Sequence, residues 1–206
     1  MLTNPKSIYT DWHKTFPGSG QGKQYPYLLD KILANHREYS RARRQSQSNK
    51  PRLWQRILDY GCGKGGTAEW LESLITKPPI SIDRYDPGHP SYKDTPLREK
   101  YDLVYSCDVL EHIEREDIHT VIEHTQKLSK NNIHIIDLTQ AKKHLPDGRN
   151  AHVLLLDKYE WIELFEQHKH NIEEVRPYSV PDPNFTTRER LCIWTRTTKA
   201  YTKRSA

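Results

Sequence analysis

The 206-residue sequence has few cysteines, a single methionine and no long apolar run. Its three cysteines are an odd number without a Cys-x-x-Cys pair, which argues against a disulfide framework or a zinc ribbon. The longest apolar runs, such as residues 153–156, are far shorter than the roughly 18 residues that a membrane-spanning helix needs. No basic stretch followed by an apolar one begins the chain, so no secretory signal is expected. These absences predict a cytoplasmic protein without membrane contact.

Positive charge is concentrated in two segments. The formal net charge is +5, yet residues 35–56 hold seven Lys or Arg against the single acid Glu38, and residues 196–206 hold four more. The rest of the chain is therefore mildly acidic. Two interpretations stay open: a solvated helix end with a basic tail, or contact with a phosphate-bearing partner such as RNA, which needs cations gathered on one surface.

Apolar periodicity predicts strands alternating with helices after residue 53. The predicted strands are 57–60, 80–85, 101–107 and 133–138. The predicted helices are 67–75, 116–128 and 158–167. Two last strands, near 172–175 and 191–194, have no helix between them and should form a hairpin. The pattern predicts an α/β fold: a Rossmann-like, doubly wound, mostly parallel sheet with a C-terminal antiparallel hairpin strand.

Two domains are expected. Residues 1–50 are predicted to form an N-terminal helical extension, with a helix at 27–44 and a polar, basic linker that ends at Pro51. Residues 51–206 are predicted to form the main domain. Within it, residues 87–100 are too few for a further helix and strand, so this part of the fold should be abbreviated.

A glycine cluster, Gly61-Cys62-Gly63-Lys64-Gly65-Gly66, follows the first predicted strand. Residues without a Cβ let the backbone bend sharply and approach a ligand, and the helix that follows points its free amides at that ligand. The spacing also satisfies G-x-G-x-x-G, the dinucleotide fingerprint. The glycines alone therefore do not choose a cofactor.

Asp59 favours S-adenosylmethionine over a dinucleotide. A carboxylate two positions before the first glycine would repel a pyrophosphate, whereas S-adenosylmethionine carries an ammonium and no phosphate. A second acid at a strand end lies at the distance expected of a ribose-binding carboxylate. Asp86 is preferred over Asp83 for this role because Pro87-Gly88 ends the strand beside it, although an ordinary turn is the alternative. A nicotinamide-dependent oxidoreductase is disfavoured.

Three segments resemble the class I S-adenosylmethionine-dependent methyltransferases. Residues 57–65 resemble their motif I, residues 85–87 their second acidic motif, and residues 101–112 their fourth-strand motif. The resemblance runs from about residue 53 to 195. It implies contacts to the methionine moiety, the ribose hydroxyls and the adenosine wall. The implied cofactor-binding residues are Asp59, Gly61, Cys62, Gly63, Gly65, Asp86, Pro87, Cys107, Asp108 and Val109.

Asp108, Glu111 and His112 are spaced i, i+3 and i+4, so they would share one face if the chain turned helical there. Two carboxylates and an imidazole can bind a divalent cation. The element is similar to one in small-RNA ribose 2′-O-methyltransferases and quinone-biosynthesis O-methyltransferases, which pair it with a later histidine, here His152. That resemblance implies a metal held by Asp108, Glu111, His112 and His152. Metal-free methyltransferases with a Val-Leu-Glu-His run are the alternative.

The predicted activity is S-adenosylmethionine-dependent methylation of a hydroxyl on a small molecule or nucleotide. His112 and His152 are the candidate catalytic residues, as bases or as metal ligands. An RNA ribose 2′-O-methyltransferase that uses the basic segments 35–56 and 196–206 is the first alternative. A non-catalytic cofactor-binding module is the second. The resemblance also implies that the aromatic, glycine-rich residues 9–20 fold over the cofactor as a lid, unless they cap the core.

Overall fold

The computed structural model describes residues 22–46, 48, 50–168, 170–181 and 187–196. In these ranges helices and strands alternate. The helices are α1 (Pro26–Arg44), α2 (Gly66–Leu74), α3 (Ile118–Leu128) and α4 (Lys158–Gln167). The strands are β1 (Arg56–Tyr60), β2 (Ser81–Tyr85), β3 (Leu103–Cys107), β4 (Asn131–Asp137), β5 (Asn171–Pro181) and β6 (Thr187–Arg196). One 3-10 turn, Leu110–His112, follows β3.

The strands form one sheet in the order β2-β1-β3-β4-β6-β5. β1 pairs in parallel with β2 and with β3, and β3 pairs in parallel with β4. β6 is antiparallel to both β4 and β5. The predicted fold class is therefore confirmed, including the closing hairpin. Residues 87–100 contain turns but neither a helix nor a strand, which confirms the predicted abbreviation.

The two faces of the sheet are covered by different helices. On one face Leu28 and Ile32 of α1 and Leu71 of α2 pack in a single cluster with Ile57 of β1. On the other face α3 and α4 form a second cluster that includes the fully buried Trp161. Alternation along β1 places Asp59 on the side of Ile57, because side chains two positions apart share a face.

Local signals fix the helix ends. α1 starts at Pro26 and carries Arg41, Arg43 and Arg44 in its last turn, where cations favour the negative end of the helix dipole. α4 starts with a capping box in which Asp157 and Glu160 exchange side-chain and backbone hydrogen bonds. Because α1 packs into the main core, residues 26–44 are joined to the domain that follows. The proposed lid residues 9–20 lie outside the described ranges.

Within the described ranges, no helix is both long and apolar enough to cross a membrane. The parallel strands β1–β4 all point their carboxyl ends to one edge of the sheet, where ligands bind in open α/β folds. An aspartate lies within one residue of the end of each of them: Asp59, Asp86, Asp108 and Asp137. This edge is where the predicted site residues meet.

Candidate functional site

The glycine loop after β1 is shaped by its close approach to two other strand ends. The amides of Gly61 and Cys62 both donate to the carbonyl of Tyr85 at the end of β2, at 2.7 and 3.1 Å. Gly61 has a φ of +78°, and a Cβ there would lie 2.6 Å from a methyl carbon of Val109. A side chain at position 61 would therefore be disfavoured for two reasons: the positive φ of the backbone and a steric clash with Val109.

Asp86 lies beneath this loop and accepts backbone hydrogen bonds with both oxygens. Oδ2 accepts from the amide of Gly63 at 2.8 Å, and Oδ1 accepts from Gly88 and His89 at 2.8 and 3.1 Å. The rival acid Asp83 is instead bound by Arg98 and by the hydroxyl of Tyr101. The structure thus places Asp86, and not Asp83, against the glycine loop.

Asp59 is a buried carboxylate that a positively charged ligand group would stabilise. Only 3% of the residue is exposed, and its Oδ2 accepts no hydrogen bond from the described residues. Burial raises the pKa of Asp59 to about 7, opposed by the nearby Tyr105 hydroxyl and Arg84 guanidinium. An ammonium beside Oδ2 would favour the ionised form and supply the missing hydrogen bonds. The site therefore fits the amino-acid end of S-adenosylmethionine.

The other predicted cofactor contacts surround the same loop. Cys62 is buried at the turn, Gly65 caps α2 with a φ of +81°, and Pro87 follows Asp86. Cys107 ends β3, and Val109 faces Gly61. The predicted residues of the first three strand ends are thus brought together at one edge of the sheet.

Asp108 does not share a helical face with Glu111 and His112, and that expectation is wrong. Its φ is +53°, so the backbone reverses before the single 3-10 turn begins at Leu110. Its carboxylate is bound instead by Arg190 at 2.9 Å and by Lys23 at 2.5 Å. Although burial alone would raise the pKa of Asp108, these two cations hold it below its usual value.

Glu111, His112 and His152 form a compact donor cluster, and Asp108 is not among its members. One donor atom from each of the three lies within 4.8 Å of the others. Glu111 is fully buried, its Oε1 accepts from the amide of Asp137 at 3.1 Å, and its Oε2 accepts no hydrogen bond from the described residues. Burial and the neighbouring Asp108 raise the pKa of Glu111 well above its usual value.

Backbone carbonyls fix the tautomer of both histidines. Nδ1 of His112 lies 2.8 Å from the carbonyl of Ala151, and Nδ1 of His152 lies 2.5 Å from that of Thr139. Because a carbonyl only accepts, each Nδ1 carries the proton and each Nε2 is left as a lone-pair donor. Burial lowers the pKa of His112 to about 4 and also lowers that of His152, so both rings are neutral at pH 7.

The loop that carries His152 is held by Asn150. Its Oδ1 accepts from the amides of Ala141 and His152, and its Nδ2 donates to the carbonyl of Ala141. The rings of His112 and His152 consequently meet edge to face, with centroids 4.7 Å apart. His112 and His152, 40 positions apart in the chain, are thus brought to one donor set.

A family model described as a methyltransferase domain matches residues 23–192. The chain belongs to the class I S-adenosylmethionine-dependent methyltransferases. No curated protein matches the sequence of this methyltransferase.

Three solved structures are similar to this chain. A Burkholderia thailandensis 1,6-didemethyltoxoflavin-N1-methyltransferase, with its substrate and S-adenosylhomocysteine bound, is 11% identical, with a TM-score of 0.57 over 93% of this chain and 88% of that one. The Thermoplasma acidophilum protein 1320 is 11% identical, with a TM-score of 0.50 over 84% and 95%. The small RNA methyltransferase HEN1 is 12% identical, with a TM-score of 0.47 over 80% of this chain and 26% of that one. At these identities, the first two structures show a shared fold alone.

Sequence reasoning missed four charged residues of this methyltransferase site: Lys23, Asp137, Arg188 and Arg190. Asp137 ends β4, is 1% exposed, and accepts from Arg188 at 2.6 Å. Arg190 is opposite Asp137 in the antiparallel register and reaches Asp108. The acid at the end of β4 was the available signal, since β2 and β3 are directly followed by an aspartate and β1 carries one next to its last residue.

Proposed function

We propose that this methyltransferase transfers a methyl group from S-adenosylmethionine to a hydroxyl oxygen held beside Glu111, His112 and His152. The observation that carries the proposal is the convergence of these three donors. Simple cofactor binding needs no such cluster, so the presence of the cluster also disfavours a non-catalytic module. The acceptor class we propose is a small-molecule or nucleotide hydroxyl.

The cofactor end of the pocket is built by the first two strand ends. We assign Asp59 to the ammonium, because its buried Oδ2 has no hydrogen bond among the described residues. We assign Asp86 to the ribose hydroxyls, since it lies directly under the glycine loop and a carboxylate can accept more bonds than one per oxygen. When bound, S-adenosylmethionine supplies the methyl group at a sulfonium sulfur.

The three donors fit a divalent cation. A buried carboxylate and two neutral imidazoles whose Nε2 atoms carry a lone pair are ligands that divalent first-row metals accept. Hydrogen bonds from each Nδ1 to a backbone carbonyl are the supporting contacts that orient metal-bound histidines. A cation there would favour the ionised form of Glu111, which burial disfavours. When bound, such an ion lowers the pKa of a hydroxyl beside it.

In the proposed transfer the acceptor oxygen forms a bond to the methyl carbon while the carbon–sulfur bond breaks. The sulfonium becomes a neutral thioether, and the hydroxyl proton is released to solvent water. The protein holds the two reactants in line, which contributes several kcal/mol in well-oriented reactions. A histidine whose pKa is about 4, such as His112, is a weak proton acceptor near neutral pH. This favours the role of ligand over that of base for His112.

Metal binding and acceptor choice test the proposal. Titration calorimetry with Mn²⁺ should show one site per chain, and Glu111→Gln, His112→Gln or His152→Gln should each weaken it by about tenfold or more. His144→Gln, an exposed histidine of the same loop region, is the matched control and should bind as the wild type does.

Acceptor choice is tested with S-adenosylmethionine and a panel of acceptors. S-adenosylhomocysteine should be produced with catechols and ribonucleosides as acceptors and not with matched amines. Methylation of the amines alone would overturn the hydroxyl assignment.

A further inference from the structure

An open groove of about 480 Å³ lies between the C-terminal half of α1 and the segment that follows α2. It is separate from the donor cluster and the glycine loop. α2 begins at Gly66 beside that loop, and its nine residues carry the chain about 13 Å away before Leu74 reaches the groove. The residues that line the groove are Leu33, His36, Arg37, Ser40, Arg41, Arg44, Leu74, Ile75, Thr76, Lys77 and Pro78.

Four cations line this groove. Arg37, Arg41 and Arg44 are spaced i, i+4 and i+7 on α1, so their side chains lie along one face. At 1.5 Å per residue they span about 10 Å of the helix axis. Lys77 contributes a fourth cation from the segment after α2. The helix end adds its partial negative charge, which helps to hold cations in the last turn.

Among the residues that the structure describes, no acid lines the groove to neutralise these cations. Two later arginines of the same basic segment differ, because Arg52 and Arg56 both pair with the buried carboxylate of Asp102. Asp102 also accepts from the amide of Arg56 at 2.9 Å, so those two arginines help to fix the start of β1. Five of the seven basic residues of segment 35–56 thus fall into two groups: two arginines that stabilise the fold and three that line a groove.

The groove also has an apolar floor. Leu74, at the edge of the groove, is 51% exposed and is one of three large hydrophobic residues that are exposed among the described residues. A row of cations beside exposed apolar surface suits a polymer that has regularly spaced negative charges along its backbone. The partly apolar sugars of such a polymer could contact the apolar surface. Guanidinium groups bind phosphate oxygens in a fork, with two parallel hydrogen bonds.

We propose that this groove binds the phosphodiester backbone of an RNA strand, with Arg37, Arg41, Arg44 and Lys77 contacting successive phosphates. The choice of RNA rests on the proposed function, since RNA carries a ribose hydroxyl that could be methylated. The phosphate contacts rest on the groove alone. The groove would hold the strand at a distance from the donor cluster and so narrows the proposed acceptor class to a nucleotide hydroxyl within a strand.

Binding of a fluorescent 20-nucleotide single-stranded RNA, measured by anisotropy at several salt concentrations, tests this inference. Each phosphate contact contributes about 0.7 to the slope of log affinity against log salt for a single strand. The triple variant Arg37→Gln/Arg41→Gln/Arg44→Gln should therefore lower the slope by about 2 and weaken binding about tenfold or more at 0.1 M salt. Its binding of S-adenosylhomocysteine should be unchanged.

The matched control removes three exposed lysines associated with the opposite face of the sheet, Lys127→Gln/Lys130→Gln/Lys158→Gln. It changes the net charge equally and should retain the wild-type salt slope. An equal loss of RNA affinity and salt slope in both variants would mean that only total charge matters and would overturn the assignment of RNA binding to the groove. Tighter binding of a poly-glutamate peptide than of RNA would overturn the nucleic-acid partner. Tighter binding of a DNA strand of the same length than of the RNA would overturn the choice of RNA. None of these readouts requires methyl transfer, so a failed hydroxyl assignment is distinguishable.

Discussion

The backbone amide of Gly63 donates a 2.8 Å hydrogen bond to Oδ2 of Asp86 and so joins the glycine loop after β1 to the acidic turn after β2. The same side chain accepts from Gly88 and His89 through its other oxygen. Asp86 is therefore a structural acceptor for the loop as well as the candidate ribose ligand.

Asp86→Asn should destabilise the fold as well as weaken cofactor binding. An amide has one oxygen, so at least one buried amide donor would face its NH₂ group, at a cost of about 1–3 kcal/mol. Urea unfolding should report this loss in the absence of any ligand. Asp94→Asn, at an exposed acid of the same abbreviated segment, is the control and should change stability little. Equal stability of the two variants would show that Asp86 does not hold the loop.

Gly61→Ala should be more destabilising than Gly148→Ala. Both glycines have a positive φ, +78° and +87°, so the backbone cost of about 1–2 kcal/mol is shared. A Cβ at position 148 meets nothing within 4 Å, whereas one at position 61 meets both methyl carbons of Val109. The difference in unfolding free energy between the two variants isolates that clash.

Val109→Ala combined with Gly61→Ala should recover part of the lost stability, because it removes the two methyl carbons that the new Cβ would meet. Thermal unfolding of the single and double variants measures the coupling. Additive effects would show that backbone strain, and not Val109, explains the loss at position 61.

Affinity for S-adenosylhomocysteine should rise with pH between 5.5 and 7. Burial raises the pKa of Asp59 to about 7, and the charged groups facing it include Arg84 and Asp86. The ligand ammonium favours the ionised carboxylate, so below this pKa each unit of pH should cost up to about tenfold in affinity. Calorimetry across this range would measure the slope.

Asp59→Asn should bind more weakly and lose that slope, because no proton is released on binding. Asp83→Asn is the control: its carboxylate is bound by Arg98 and Tyr101 away from the glycine loop, so the slope should persist. A slope retained by Asp59→Asn would show that another group sets the pH dependence and would remove the assignment of Asp59 to the ammonium.

Local patterns predicted the order of the elements because periodicity and turn residues act over a few positions. The predicted helix at 158–167 has the observed bounds, while the helix at 116–128 begins two residues late, at Ile118. Asp59 and Asp86 could be chosen from their places at strand ends. Their contacts depend on parallel strands, whose carboxyl ends meet at one edge.

The contacts of Asp108 could not be predicted in the same way. Lys23 and Arg190 are 85 and 82 positions from it, and nothing local indicates either. The helical spacing of Asp108, Glu111 and His112 was misleading because a left-handed residue at Asp108 ends the strand before the turn starts. Arg190 reaches the site only through the antiparallel register of β6, which the sequence of one strand does not specify.

A buried histidine remote from the site should make the fold sensitive to acid. His134 of β4 is fully buried, with Nδ1 2.8 Å from the hydroxyl of Ser106 and its ring stacked on Phe165. Burial, with a smaller contribution from His170, lowers the pKa of His134 to about 3. The unfolded chain takes up this proton below about pH 6.5 and the folded chain does not, so acid favours unfolding from pH 6.5 downward.

His134→Gln removes that proton uptake and keeps a polar side chain near Ser106. Between pH 7 and pH 5 the wild type should therefore lose about 2 kcal/mol more unfolding free energy than the variant, at up to 1.4 kcal/mol per pH unit below 6.5. Urea unfolding at the two pH values measures the change in unfolding free energy for each protein. The contributions of the other titrating groups cancel when the change for the variant is subtracted from that for the wild type. His144→Gln, at an exposed histidine, should retain the wild-type change. If His134→Gln also retained it, the imidazole would have to be protonated inside the fold, and its stacking on Phe165 would have to accommodate a buried cation.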